Sequence, residues 1–285
     1  MQPSCVLYME FLGQGWLGQS GPTTAIAPDG ENSSVDLGMN FQGRQEVGYY
    51  EHALPEGTFA RILKLLDEVG FDTLESGPPI LPDTPTLSVG KMYDGTPDRF
   101  DMRGYDAGKV PKVLDPVRAE MLALTEVILQ HPVRAIRGEA APTQPSFSVD
   151  EPVTFELRLK NVGIKPLLLD NPFHKRMEQQ LTVRFLVTKD APVPRNQGPE
   201  QLWVDVKVEH VHMSDRKLKP PAERELTLDP GEEFRFLVRK KLMLQPGRYR
   251  TAAFFRNSRQ KKFEVSAPGA LTMGPGMFEV VEAAP

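Results

Sequence analysis

The apolar run of residues 6–12, broken only by Glu10, reads as a strand, and the runs 23–27 and 35–41 flank the turn signal Pro28-Asp29-Gly30, which predicts a hairpin or wider loop. Residues 44–51 read as a fourth strand. The period then changes. Phe59, Ile62, Leu63, Leu66 and Val69 fall on one face of a helix, and Gly70 stands where a left-handed C-terminal cap is wanted. Pro78, Pro79, Pro82 and Pro85 exclude regular structure from residues 76–85, after which 86–93 and 99–105 read as a second hairpin. Asp115-Pro116 opens a second helix, with Asp115 as N-cap, Pro116 at the first helical position and Val117, Met121, Leu124 and Ile128 as the buried stripe. The pattern predicts a small α+β domain, a meander sheet carrying two helices on one face.

Beyond residue 140 the helical period is lost. Val153, Phe155, Leu157 and Leu159 alternate with Thr154, Glu156, Arg158 and Lys160, a strand with one wet face. Further strands are expected at 181–188, 202–213, 225–228, 233–239, 248–255, 262–265 and 277–281. Many short strands separated by turns predict an all-β sandwich.

Charge divides the chain at the same place. Residues 1–139 hold 11 Lys+Arg against 20 Asp+Glu, and residues 140–285 hold 23 against 18, so the halves carry −9 and +5. Opposite charge is expected to draw the two halves together. His131-Pro132 ends a helical pattern, and Pro142, Pro145 and Pro152 follow, which reads as a stiff linker and sets domains of 1–139 and 140–285. Net charge is −4, 40% of residues are apolar and 25% charged, which fits a globular chain and excludes a collagen-like or charge-dominated disordered one. One cysteine, Cys5, excludes a disulfide framework and a cysteine-built zinc site. The first residues lack the basic and apolar regions of a secretory signal, and no apolar run reaches bilayer length, so the reading is cytoplasmic with no membrane partner.

Residues 6–131 carry Gly21-Pro22, the Asp29-Gly30 turn, a helix after Leu54-Pro55, and Pro82-Asp83-Thr84-Pro85-Thr86 leading into a strand; on these residues the first half resembles a bacterial domain family of unknown function, which implies no activity. Residues 147–266 carry Leu228-Asp229-Pro230-Gly231-Glu232 before Phe234 and Phe236, and Pro246-Gly247-Arg248-Tyr249 before a late strand. There the chain resembles the bacterial intracellular proteinase inhibitor domain and kindred immunoglobulin-like modules. The resemblance implies an immunoglobulin-like sandwich and makes inhibition one expectation among several.

Chemistry is sparse. Gly13-Gln14-Gly15-Trp16-Leu17-Gly18 matches a dinucleotide fingerprint after a strand, yet Gly21-Pro22-Thr23-Thr24 breaks the chain where the phosphate-binding helix must begin. Residues 104–110 miss a P-loop, with Val110 where a hydroxyl belongs. Ser20 lacks a nucleophile elbow, and Cys5 sits on a terminus that preorganises nothing. Asp94, Asp98, Asp101 and Asp106 fit no calcium-loop spacing and read as turn acids. Asp83 is expected to hold its proline-rich loop by accepting backbone hydrogen bonds. Of Trp16, Tyr49-Tyr50 and Phe254-Phe255, the second of each adjacent pair is expected to fill a domain interface.

Two readings of function remain. His210 and His212, two apart on a strand that continues the parity of Val204, Val206 and Val208, share a face; a metal-dependent hydrolase built on them is the alternative, although no third ligand is named by the sequence. The leading reading is a non-catalytic protein-interaction protein without a cofactor, acting as inhibitor, immunity factor or assembly component. Residues 235–263 contain no Asp or Glu, and Arg235, Arg239, Lys240, Lys241, Arg248 and Arg250, followed by Arg256, Arg259, Lys261 and Lys262, are expected to stack into one positive sheet face. That face suits an acidic protein partner. Nucleic acid is disfavoured, because the second half nets only +5 and no nucleic-acid motif interleaves the basic residues.

Overall fold

The computed structural model describes residues 5–12, 20–38, 44–77, 86–93, 100–175, 182–192, 199–215, 217–257 and 269–282. The glycine-rich loop with Trp16, the loop with Asp83, Asp94 and Asp98, the strand expected at 262–265, and Arg259, Lys261 and Lys262 lie outside these residues. The chain forms two units: Met1–Gly43 with Val47–Ala135, and Arg44–Glu46 with Ile136–Pro285. Large antiparallel sheets dominate both. Among the described residues no helix is long and apolar enough to cross a membrane.

The first unit contains β1 (Cys5–Leu12), β2 (Ser20–Ile26), β3 (Asn32–Leu37), all but the first residue of β4 (Glu46–Ala53), α1 (Thr58–Glu68), β5 (Thr86–Tyr93), β6 (Phe100–Asp106), α2 (Asp115–Ile128) and the first four residues of β7 (Pro132–Pro142). Its strand order is β7-β4-β3-β2-β1-β5-β6. The Pro28-Asp29-Gly30 signal makes the β2–β3 turn: Glu31 N–H donates to the Pro28 carbonyl at 3.1 Å, and Gly30 takes the positive φ of 90°. Asp29 Oδ2 also accepts from Gly57 N–H at 2.9 Å, tying the turn to the start of α1. All four stripe residues of α2 are buried, as are Ile62 and Leu66 of α1, whereas Phe59, Leu63 and Val69 are half-buried. Thr125 Oγ1 donates to the Met121 carbonyl at 2.7 Å, so in its 2.6 Å contact with Thr24 Oγ1 the β2 hydroxyl is the donor. Asp115 is not the N-cap. A single 3-10 turn, Lys112–Leu114, leads into α2 and leaves buried Leu114 at the cap, so Asp115 is the first helical residue, 3.4 Å from Arg118.

The second unit contains the remainder of β7, then β8 (Ser146–Ser148), β9 (Val153–Asn161), β10 (Leu167–Asp170), β11 (Val183–Lys189), β12 (Gln201–Asp205), β13 (Val211–Met213), β14 (Glu225–Leu228), β15 (Glu233–Lys240), β16 (Gly247–Asn257) and β17 (Gly269–Val281). One sheet runs β13-β15-β9-β7 and the other β12-β11-β16-β17-β8, with β10 and β14 as a separate pair. Phe155, Leu157, Phe236 and Val238 of the first sheet and Val183, Phe185, Ala253, Phe255 and Phe278 of the second are buried. Phe155 and Phe185 stack at 4.6 Å, joining the layers into a β-sandwich-like core. Gly138 of β7 is needed for close approach: a Cβ there would fall 2.3 Å from Leu271 Cδ2 and 2.6 Å from Met273 Sδ.

Residues 132–142 are a strand, not the stiff linker their prolines suggest. Pro132 and Pro142 stand at its first and last positions, where a missing N–H costs the ladder little, and Val133 and Ala135 supply the buried parity between them.

Candidate interaction surface

The basic residues 235–250 do not stack into one face. Arg235 and Arg239 point outward from β15, Arg248 and Arg250 point outward from β16, and those strands belong to different sheets of the second unit. Alternation correctly set inward and outward positions, but which strands pair is a long-range property that alternation does not carry. Acids further dilute the charge. Arg235 Nε bonds Glu233, Arg250 Nη2 lies 2.5 Å from Asp190 Oδ1, and Lys241 Nζ is 3.2 Å from Asp150 Oδ1. Arg248 stands opposite Glu279 in the β16–β17 register. Lys240 is committed differently, donating from Nζ to the backbone carbonyl of Asp205 at 2.8 Å.

His210 and His212 do not share a strand. The expected strand over 202–213 ends at Asp205; Val206 N–H still reaches Val183 O at 3.3 Å, and a single turn, Val208–His210, then carries the chain to β13 in the other sheet. His210 Nδ1 accepts the Lys207 N–H at 3.0 Å, which uses one of its ring nitrogens to close that turn, while His212 lies exposed on β13. The common face on which metal chelation rested is therefore absent. Among the described residues no three His, Cys, Asp or Glu side chains cluster as a metal site.

A different cluster lies on the outer face of the β12-β11-β16 sheet. The parity that buries Val204 turns Trp203 outward, opposite Leu186, and the neighbouring row brings Asp205, Arg184 and Phe254 into line. Trp203 is 41% exposed and packs on Phe254 at a ring separation of 5.3 Å. The Arg184 guanidinium stands 4.7 Å from the Trp203 ring centroid, and its Nε donates to Asp205 Oδ1 at 2.7 Å, so the cation is held over the indole. Met277, opposite Arg250, adds a half-exposed apolar side chain. Two aromatics with an oriented arginine are the side chains that concentrate energy at protein interfaces. Trp203 carries no pairing or motif signal of its own in the sequence, although the parity of Val204 and Val206 places it on the opposite face.

Tyr50 and Phe255 are buried and their neighbours Tyr49 and Phe254 half-buried. Asp106 accepts the Gly108 N–H at 2.9 Å and is a turn acid; Asp101 lies in β6. An open cleft of about 350 Å³ in the second unit is lined by Gln45, Glu139, Glu156, Arg158, Gly274 and Pro275. Its charges compensate one another: Arg158 donates from Nη2 and Nε to Glu156 Oε2 at 2.7 and 3.0 Å, and stands opposite Glu139 in the β7–β9 register. The Glu156 carboxylate raises the Arg158 guanidinium above its ordinary value.

No protein-family model matches the chain, and no curated protein matches it. Among solved structures it is similar to a β-glucosidase from Erythrobacter marinus, at 10% identity and a TM-score of 0.27 over 52% of this chain and 16% of that one. It is also similar to an alkylpurine DNA glycosylase from Pseudomonas fluorescens, at 12% identity and a TM-score of 0.28 over 61% of this chain and 40% of that one. The third likeness is the CARDB domain of a Pyrococcus furiosus protein, at 13% identity and a TM-score of 0.26 over 52% of this chain and 90% of that one. The match thus spans under a fifth of the glucosidase, and at such TM-scores these likenesses decide neither fold family nor activity. The chain is a mostly β protein of two units, the second sandwich-like.

Proposed function

We propose that this chain is a non-catalytic protein-interaction protein, an α+β domain followed by an immunoglobulin-like sandwich, that works in the cytoplasm as an inhibitor, immunity factor or assembly component. The observation that carries the reading is the half-exposed Trp203, packed on Phe254 and faced by Arg184, on a strand that among the described residues has a neighbour on one side only. A tryptophan in that position contributes apolar area at small entropic cost, and the buried Arg184, ion-paired with Asp205, stiffens it for contact with a partner's apolar centre. Arg248 and Arg250 of the same sheet belong to its rim, whereas Arg235 and Arg239 do not.

The test is affinity capture from the native host with the wild-type chain, followed by equilibrium binding of the recovered partner. Trp203→Ser is expected to weaken that binding at least tenfold without changing the melting temperature by more than a few degrees. Undiminished binding by a folded Trp203→Ser protein removes this face from the function.

A further inference from the structure

We propose that Met243 is a site of reversible oxidation to methionine sulfoxide, a redox mark carried by the loop that joins the two sheets of the second unit. The inference does not rest on the interaction face, because it concerns chemistry at a single sulfur atom. β15 ends at Lys240 in one sheet and β16 begins at Gly247 in the other, so residues 241–246 cross between the layers. The crossing is held on both sides of Met243. Leu242 is buried and Leu244 half-buried, and the Tyr249 hydroxyl donates to the Gln245 carbonyl at 2.8 Å. Met243, between two anchored leucines, stands 96% exposed, the most exposed large apolar side chain among the described residues. The fold uses the apolar side chains at 242 and 244 and makes no use of the one at 243.

A thioether is oxidised where a peroxide can reach its sulfur. The Met243 sulfur attacks one oxygen of hydrogen peroxide and the O–O bond breaks. Sulfur gives up two electrons and gains the S=O bond, and the other oxygen, after proton transfer, leaves as water. No other co-reactant is required. Exposure ranks the remaining methionines below it: Met277 is 54% exposed, and Met9, Met121 and Met273 are buried. Oxidation of a buried methionine places a polar S=O inside a packed core and damages it. At Met243 the sulfoxide stays in water and no packing is lost, so the fold survives the change. The reductases that act on each sulfoxide epimer also find this side chain already presented to them. Indifference of the fold and access for repair are what separate a mark from a lesion.

The experiment treats the full-length chain with excess hydrogen peroxide, folded and in urea, and follows each methionine separately by peptide mass spectrometry. Met243 is expected to oxidise in the folded protein as fast as in the unfolded chain, whereas folding slows Met277 about twofold and Met9, Met121 and Met273 at least about tenfold. When Met243 is fully converted the melting temperature is unchanged, and methionine sulfoxide reductases A and B together restore the thioether in the folded protein. A folded-state rate at Met243 tenfold or more below its unfolded rate overturns the proposal. So does a sulfoxide that the reductases reach only after unfolding, or a fall in melting temperature on oxidation that Met243→Leu abolishes. The rate and repair measurements are made within the wild-type chain and need no variant to fold.

Discussion

Asp36 stands directly opposite Tyr49 across the β3–β4 pair, and its Oδ1 is buried without a hydrogen-bond partner. Burial pushes this carboxyl from 3.8 to about 6, and the Tyr49 phenol is raised as well, by its own burial first and by the Glu51 and Asp36 charges after it. The folded protein therefore keeps a proton on Asp36 at a pH where the unfolded chain has released it. Stability from this residue is greatest below pH 3.8 and falls as pH rises to about 6, by roughly 3 kcal/mol. Asp36→Asn is expected to raise stability at pH 7.5 and to leave it nearly unchanged at pH 3.5 or below. Urea unfolding of both proteins across that range checks it, and a variant that gains equally at every pH contradicts the assignment.

Gly48 cannot be replaced. Its φ is 145°, and a Cβ would stand 2.2 Å from the Arg134 carbonyl oxygen and 2.5 Å from Ala135 Cα, which are backbone atoms unable to swing aside. Gly48→Ala should cost more than about 3 kcal/mol or prevent folding. Gly30, whose Cβ would meet open space, is the control: Gly30→Ala bears only the positive-φ penalty of about 1 kcal/mol. Equal melting temperatures for the two variants would refute this ranking.

Asn161 is fully buried at the end of β9, donating from Nδ2 to the carbonyls of Lys165 and Leu228, both at 2.9 Å, while Oδ1 accepts the Gly163 N–H at 2.9 Å. Asn161→Ala strips all three bonds and leaves buried backbone groups unmet, a loss of about 3 kcal/mol. Asn161→Asp fails almost as badly, because a carboxylate cannot donate to either carbonyl. Chemical denaturation of the two variants should place both midpoints well below that of the wild type.

Lys240 guards a sheet edge. Glu200 accepts from Lys189 and Val206 donates to Val183, so even-numbered residues of this segment address β11 and the Asp205 carbonyl points the other way, where Lys240 Nζ takes it at 2.8 Å. A lysine across an edge strand opposes pairing with another chain. Lys240→Ala is expected to increase self-association with concentration, measured by light scattering, and Lys240→Arg to restore wild-type behaviour; unchanged scattering for the alanine variant would mean that the edge needs no guard.

Local signals were legible. The α2 stripe of Val117, Met121, Leu124 and Ile128 is buried throughout, and Pro28-Asp29-Gly30 makes its turn, because spacing and turn chemistry act over a few residues. The crossing after Asp205 was hidden: apolar parity at Val204, Val206 and Val208 runs on as if one strand continued, while the strand's partners change from β11 to β15. The same long-range choice separated Arg235 from Arg250. Of the candidate surface, Phe254 and the rim residues Arg248 and Arg250 stand out in the sequence, whereas Trp203, Arg184 and Met277 do not. The meeting of Phe254 with Trp203 depends on the pairings of β12 with β11 and β11 with β16, which no local pattern encodes.

Arg44–Glu46 belong to the second unit although they lie between Gly43 and Val47 of the first, and the boundary proper falls inside one strand, between Ala135 and Ile136. These three residues are anchored there: Gln45 Nε2 bonds the Gly274 carbonyl at 3.2 Å, Gly138 N–H donates to the Gln45 carbonyl at 3.1 Å, and Glu46 pairs with Arg137. Neither unit is thus a single uninterrupted stretch of the gene. A crossover between codons 46 and 136 would separate Arg44–Glu46 from the rest of their unit, so inheritance of the two units as a block is what this threading favours.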